Sequence, residues 1–166
     1  MTGVALLTLV HTAISLVGIG SGLGVLALML EGRDNPSWTG LFLITTVLTS
    51  ATGYFFPFTR LLPSHVVGAV SLVVLAVVLY ARYVRGEQGR WARVFVLGSV
   101  LALWLNVFVL IAQLFAKVPA LQALAPTQSE PPFGITQLLV LAVFVVLGLR
   151  ASRRSRTAGA AARVAV

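Results

Sequence analysis

Long apolar runs, each closed by a short polar or proline-containing stretch, recur five times along the chain. They extend from about Val4 to Leu30, Thr39 to Phe58, Pro63 to Val84, Val94 to Ala116 and Phe133 to Leu149. A helix crosses the hydrocarbon core with about 20 residues, in a range of roughly 17–25. The first four runs meet that length and the fifth lies at its lower limit, so four spans is the alternative count. The pattern predicts an all-α integral membrane bundle of five transmembrane helices. Turn chemistry separates them. Glu31 to Ser37 breaks the first helix and offers caps for the second, and Phe58 to Pro63 is a short link after which Ser64 is placed to cap the third. Arg85 to Arg90 divides the third run from the fourth. The longest link, Lys117 to Pro132, carries Pro119, Pro126, Pro131 and Pro132 and is apolar enough to lie at the membrane interface.

Composition removes the soluble alternative. Of 166 residues, 58% are hydrophobic and 10% charged, with a mean hydropathy of +1.00. A soluble domain carries about 25% charged residues, and this chain cannot supply such a surface. The absence of cysteine excludes disulfides, thiolate metal sites and thiol nucleophiles. A net charge of +8 raises nucleic-acid binding, but the basic residues flank the apolar runs instead of forming a stripe, so no nucleic-acid partner is expected. No basic n-region or cleavage pattern of a signal peptide is read at the amino terminus.

With five spans, the first and third links and the tail share one side, holding Arg33, Arg82, Arg85, Arg90, Arg93, Arg150, Arg153, Arg154, Arg156 and Arg163. The other side holds Arg60 and Lys117. This bias places the amino terminus outside and the carboxyl terminus in the cytoplasm. Residues 1–150 read as a single transmembrane domain, and 151–166 as a basic, disordered cytoplasmic tail whose partners are anionic headgroups.

Polar side chains inside the spans are the candidates for chemistry, because at membrane depth they need partners. His11, Ser15, Gly18 and Gly22 share one face of the first helix. Gly20 and Gly24 add a second pair, and all four glycines read first as helix-packing positions. Thr45, Thr49 and Thr52 form a stripe on the second helix, with Thr46, Ser50 and Gly53 beside it. Hydroxyls can bond back to the preceding turn, so no ligand is required of them. Tyr54 to Phe58 fit an aromatic belt, and Pro57 ends the helix. Ser99, Asn106 and Gln113 recur every seven residues on the fourth helix, with Lys117 one turn later. Gln137 begins a face with Leu141, Phe144 and Gly148.

At about 1.5 Å per residue, His11 and Thr49 lie about 10 Å below the outer boundary. Asn106 falls nearer the middle and His65 near the surface. His11, Thr49, Thr52, His65, Gln113 and Gln137 thus share the outer half, above an almost purely aliphatic inner half. Together with Asn106 and Glu130 they are the ligand-binding candidates.

Four acidic residues, Glu31, Asp34, Glu87 and Glu130, all fall in links. That disfavours metal-assisted hydrolysis and a carboxylate-based proton pump, and no nucleophile elbow is present. A non-enzymatic protein is expected, with no cofactor and no metal. Two readings stay open: an accessory or assembly subunit of a larger membrane complex or homo-oligomer, or a binder of a small hydrophobic ligand. Alternatives are a redox-associated protein holding quinone, or b-type haem between His11 and His65, and a small-solute transporter or channel formed by an oligomer. For haem, the two histidines differ in expected depth by about 7 Å, which helix tilt must absorb.

Thr52 to Phe58, Leu105 to Leu110, Pro119 to Leu121 and Leu124 to Phe133 together resemble a family of small bacterial multi-pass membrane proteins that carries no assigned activity. The resemblance covers most of the chain apart from the basic tail. It implies a bacterial inner-membrane location and supplies no site residues. It also singles out the Pro126 to Phe133 link, where Glu130 could fold back toward the polar cluster; the plainer reading is a solvated, proline-stiffened turn.

Overall fold

The computed structural model describes residues 3–57 and 63–164. Arg60, and the Ser64 side chain expected to cap the third helix, lie outside the described residues. Regular structure among the described residues is helical throughout: α1 Gly3–Leu30, α2 Pro36–Thr52, α3 Pro63–Leu79, α4 Arg90–Lys117, α5 Pro119–Leu124 and α6 Pro131–Val164. A 3-10 turn, Gly53–Phe55, closes α2, and a π turn, Tyr80–Val84, closes α3.

Local sequence explains these boundaries. Asn35 caps α2, its side-chain oxygen accepting from the backbone N–H groups of Ser37 and Trp38 at 3.1 and 3.2 Å, with Pro36 at the first helical position. Gly32, Gly86 and Gly89 adopt positive φ at the two links on that side, a conformation glycine reaches without steric cost. Pro119 opens α5, which packs Leu121 and the following Ala125 against Ile111 and Phe115 of α4 and Phe133 of α6. The long link is therefore a short helix laid on the bundle.

Four helical segments are long and apolar enough to cross a membrane: Gly3–Leu30, His65–Val84, Arg90–Lys117 and Pro131–Ser155. The chain is an all-helical, multi-pass membrane bundle. The marginal element differs from the one the hydropathy singled out. The last run starts earlier, at Pro131, and gains length at both ends, whereas α2 has only 17 residues. Gly53 and the aromatics after it tighten into a 3-10 turn, and Pro57 cannot continue a helix. The last helix runs on into the basic tail. Its backbone stays helical to Val164, in keeping with the high helix propensity of alanine and arginine.

Helix α4 is the hub, touching α1, α3, α5, α6 and, more lightly, α2. Val25, Leu26, Phe42, Leu43, Leu75, Val78, Phe95 and Leu103 form the main core. Outward positions are apolar as well: Ile44, Val73 and Leu138 are each more than 60% exposed. Such a surface suits hydrocarbon.

Small residues permit the closest approaches. A Cβ on Gly22 would lie 2.6 Å from Leu103 Cδ1 and 2.8 Å from the Phe42 ring, and one on Gly24 would lie 2.7 Å from the Trp38 ring. Gly18 meets Thr45 Oγ1 at 3.2 Å by the same construction. Gly20 faces open space, with nothing within 4 Å. The expectation that it packs helices is corrected: it lies next to Ile19 and Ser21, which turn inward, and itself points off the buried face.

The bundle has two chemically distinct ends. At one, Arg82 is 11% exposed and reaches Asp34 of the first link at 2.9 Å and Glu87 of the third at 2.6 Å. Its guanidinium lies 5.0 Å from the Phe95 ring centroid. The other end carries Lys117 and the polar stripes.

Candidate functional site

A cavity of about 610 Å³ opens among α1, α2, α3 and α4 toward the Lys117 end. Its polar lining includes His11, Ser15, Thr49, Ser50, Tyr54, His65, Ser71, Asn106, Gln113 and Lys117, and its apolar walls include Leu16, Ile19, Val67, Leu105, Val109 and Leu110. The size falls within the range of small-molecule sites, about 300–1,000 Å³.

Helix periodicity supplies the first wall. His11 and Ser15 face inward one turn apart on α1, and Ser15 Oγ donates to His11 O at 2.7 Å. His11 Nδ1 lies 2.8 Å from Thr52 Oγ1. The Thr52 hydroxyl has one hydrogen, which it gives to Leu48 O at 2.7 Å, so it accepts from His11 Nδ1–H. This assigns the ring's tautomer and leaves Nε2 as an acceptor.

The end of α2 and the start of α3 supply the second wall. The chain turns at Gly53, bringing Phe56 edge-on to His11 with ring centroids 5.2 Å apart. Tyr54 Oη donates to His65 O at 2.7 Å, and the two rings lie 5.7 Å apart. Tyr54 and Phe56, expected in a lipid-facing belt, are thus turned partly to the cavity, because the 3-10 turn rotates them off the α2 face. Phe55 remains 71% exposed.

Helix α4 closes the site with Asn106, Gln113 and Lys117. Thr49 is 8% exposed, and its Oγ1 is buried without a hydrogen-bond partner, as is Asn106 Nδ2. Thr46 Oγ1 is in the same state, and both it and Asn106 Nδ2 would lie 3.5 Å from a Cβ at Gly18. Buried polar atoms without partners cost about 1–3 kcal/mol each, so the inner end of the cavity has unmet hydrogen-bonding capacity.

The candidates divide. His11, Thr49, His65, Asn106 and Gln113 line one cavity, and Thr52 holds His11 beside it. Gln137 does not join them: it is buried on α6, donating Nε2 to Phe108 O at 3.1 Å. Glu130 does not fold back to the cluster. It accepts from Thr127 N, Thr127 Oγ1 and Ser129 N at 2.9–3.3 Å. Slight desolvation raises its pKa, but these hydrogen bonds outweigh that and hold the carboxyl below its ordinary range. Gln128, absent from the sequence candidates, takes a positive φ of 59° and sends Nε2 to Ala112 O at 2.8 Å, pinning the link to α4. Its neighbours Pro126 and Ser129 signalled a turn, but no local pattern shows its distant acceptor. Tyr54, Ser71 and Lys117 were likewise missed as lining residues.

Among the described residues no group of three or more His, Cys, Asp or Glu side chains is placed to hold a metal ion. The chain matches no protein-family model, no curated protein and no solved structure.

Proposed function

We propose that this protein is a non-enzymatic bacterial inner-membrane protein whose cavity holds a small amphipathic ligand. The observation that carries the reading is the pair of buried, unpartnered groups, Thr49 Oγ1 and Asn106 Nδ2, at the inner end of a cavity of about 610 Å³. An amide N–H can only donate, so the occupant offers an acceptor there and apolar surface to Leu16, Ile19 and Val109. Charge placement supports five spans with the amino terminus outside, which opens the cavity toward the outer leaflet.

Extraction and mass spectrometry of protein purified in neutral detergent tests this. A stoichiometric amphiphile is expected in the wild type and should be depleted in Asn106→Leu. Equal retention by both, or an empty wild type, would overturn the reading. A retained quinone would satisfy it and place the protein in redox chemistry.

A second reading, an accessory subunit, draws support from Gln128 and Gln137. Both spend their amides on α4 carbonyls, where they join elements and leave the cavity alone. Co-purification of one stable larger complex, lost on mutation of an exposed apolar face, supports this role.

A further inference from the structure

Several hydroxyls of the cavity have already given away their hydrogen. Thr8, Ser15 and Tyr54 each spend their single hydroxyl hydrogen on a carbonyl, those of Val4, His11 and His65, at 2.7–2.8 Å. At the inner end Thr49 Oγ1 and Asn106 Nδ2 are without a partner, and among the described lining residues Lys117 supplies a cation at the rim. Among the described residues no carboxylate lines the cavity. All four in the chain are engaged elsewhere: Asp34 and Glu87 with Arg82, Glu31 with Arg33, and Glu130 with Thr127 and Ser129. In a low-dielectric surrounding, a cation without a facing carboxylate gives the cavity a positive potential.

Geometry adds a length. Lys117 follows Asn106 by eleven residues on the same helix, a rise of about 16 Å. Val109, Leu110 and Leu114 line the cavity between them. The polar ends are thus joined by an apolar strip on α4.

We propose that the occupant is an elongated amphiphile with an anionic head, held at the rim by Lys117 and Gln113, its chain running along Val109 and Leu110 toward Asn106. This rests on the ligand-binding reading above and names the class of ligand. Oxygenated fatty carboxylates and lipid phosphates with an ester or hydroxyl oxygen share the required chemistry: a full negative charge at one end, an apolar body of matching length, and an acceptor oxygen within it for Asn106 Nδ2.

Equilibrium dialysis of the full chain in neutral detergent, with labelled dodecanoate, dodecanol and dodecyltrimethylammonium, provides the test. Charge-assisted hydrogen bonds are the stronger kind, so dodecanoate should bind about tenfold more tightly than dodecanol. The cationic probe should bind more weakly than either. Lys117→Gln should bring dodecanoate down to the dodecanol level without changing dodecanol, and Lys117→Arg should restore the preference. Acetate alone should not compete; competition by acetate at dodecanoate concentrations would remove the amphiphile from the proposal. Equal binding of dodecanoate and dodecanol to the wild type would overturn the anionic head.

Two blocking variants separate this failure from that of the site itself. Gly53→Leu and Leu16→Trp each place bulk in the cavity wall, from α2 and α1 respectively. If dodecanol binds the wild type and either variant abolishes it, the cavity stands whatever the head charge. If dialysis binding of every probe is unchanged by both variants, the site and its anionic head fall together.

Discussion

Asn106 and Thr49 sit where the chain pays for polarity inside an apolar bundle, and single substitutions there separate structure from binding. In Thr49→Val the hydroxyl is replaced by a methyl of similar shape, relieving an unpaired buried group instead of creating one. Without ligand, this variant should melt within about 1 kcal/mol of the wild type or above it; retention of ligand should fall. Gly22→Ala behaves otherwise. Its Cβ would lie 2.6 Å from Leu103 Cδ1 and 2.8 Å from Phe42, so repacking should cost about 1–3 kcal/mol in detergent unfolding. Gly20→Ala, facing open space, should stay within roughly 0.5 kcal/mol. The two glycines look alike in a small-xxx-small pattern. Only the identity of the facing helix tells them apart.

Elements are held to one another by polar contacts that hydropathy does not register. Arg82, at the end of α3, ties together the links before α2 and before α4 through Asp34 and Glu87. Burial raises the Glu87 carboxyl above its ordinary range, and Arg82 offsets only part of this. A raised acid favours the folded state when protonated, so its contribution is present below the unfolded value, near 4.5, and is lost as pH rises through the folded one. Removing Arg82 strands Asp34 and Glu87 beside each other. Because Asp34 is 50% exposed, Arg82→Ala should cost about 1–2 kcal/mol, well below a fully buried pair.

Glu130 has the opposite sign. Its depressed pKa contributes stability above the ordinary value near 4.5, lost as pH falls through the folded one. Acidification should therefore lower the hydrogen-exchange protection of the Thr127 and Ser129 amides, measured against the intrinsic rate at each pH, and Glu130→Gln should flatten that dependence. The sequence placed Glu130 in the link between the fourth and fifth apolar runs. It could not show that the turn's own N–H groups consume the carboxylate.

At the scale of the whole molecule, the bundle has a positively charged end rich in arginine and an opposite end with a polar cavity. A reporter fused after Val166 should read as cytoplasmic, and one inserted near Gln128 as external. The reverse pattern would turn the cavity toward the cytoplasm. The 17-residue α2 is the element on which the count of crossings depends. Lengthening it by replacing Pro57 with leucine should leave both reporters unchanged if α2 already spans.

The sequence by itself determined the solvent, the helical class and most of the helix positions, because apolar run length and charge asymmetry are properties of residues in order along the chain. It also located most of the polar cluster, since positions spaced by three, four or seven residues share a helix face wherever that helix goes. Tertiary structure decided which faces meet. It separated Gln137 and Glu130 from His11, Thr49, Asn106 and Gln113, brought Tyr54, Ser71 and Lys117 to the cavity, and exposed Gly20 while burying Gly22. Periodicity fixes an azimuth on one helix. Contact requires the relative rotation and offset of two, and packing across α1, α2 and α4 sets those.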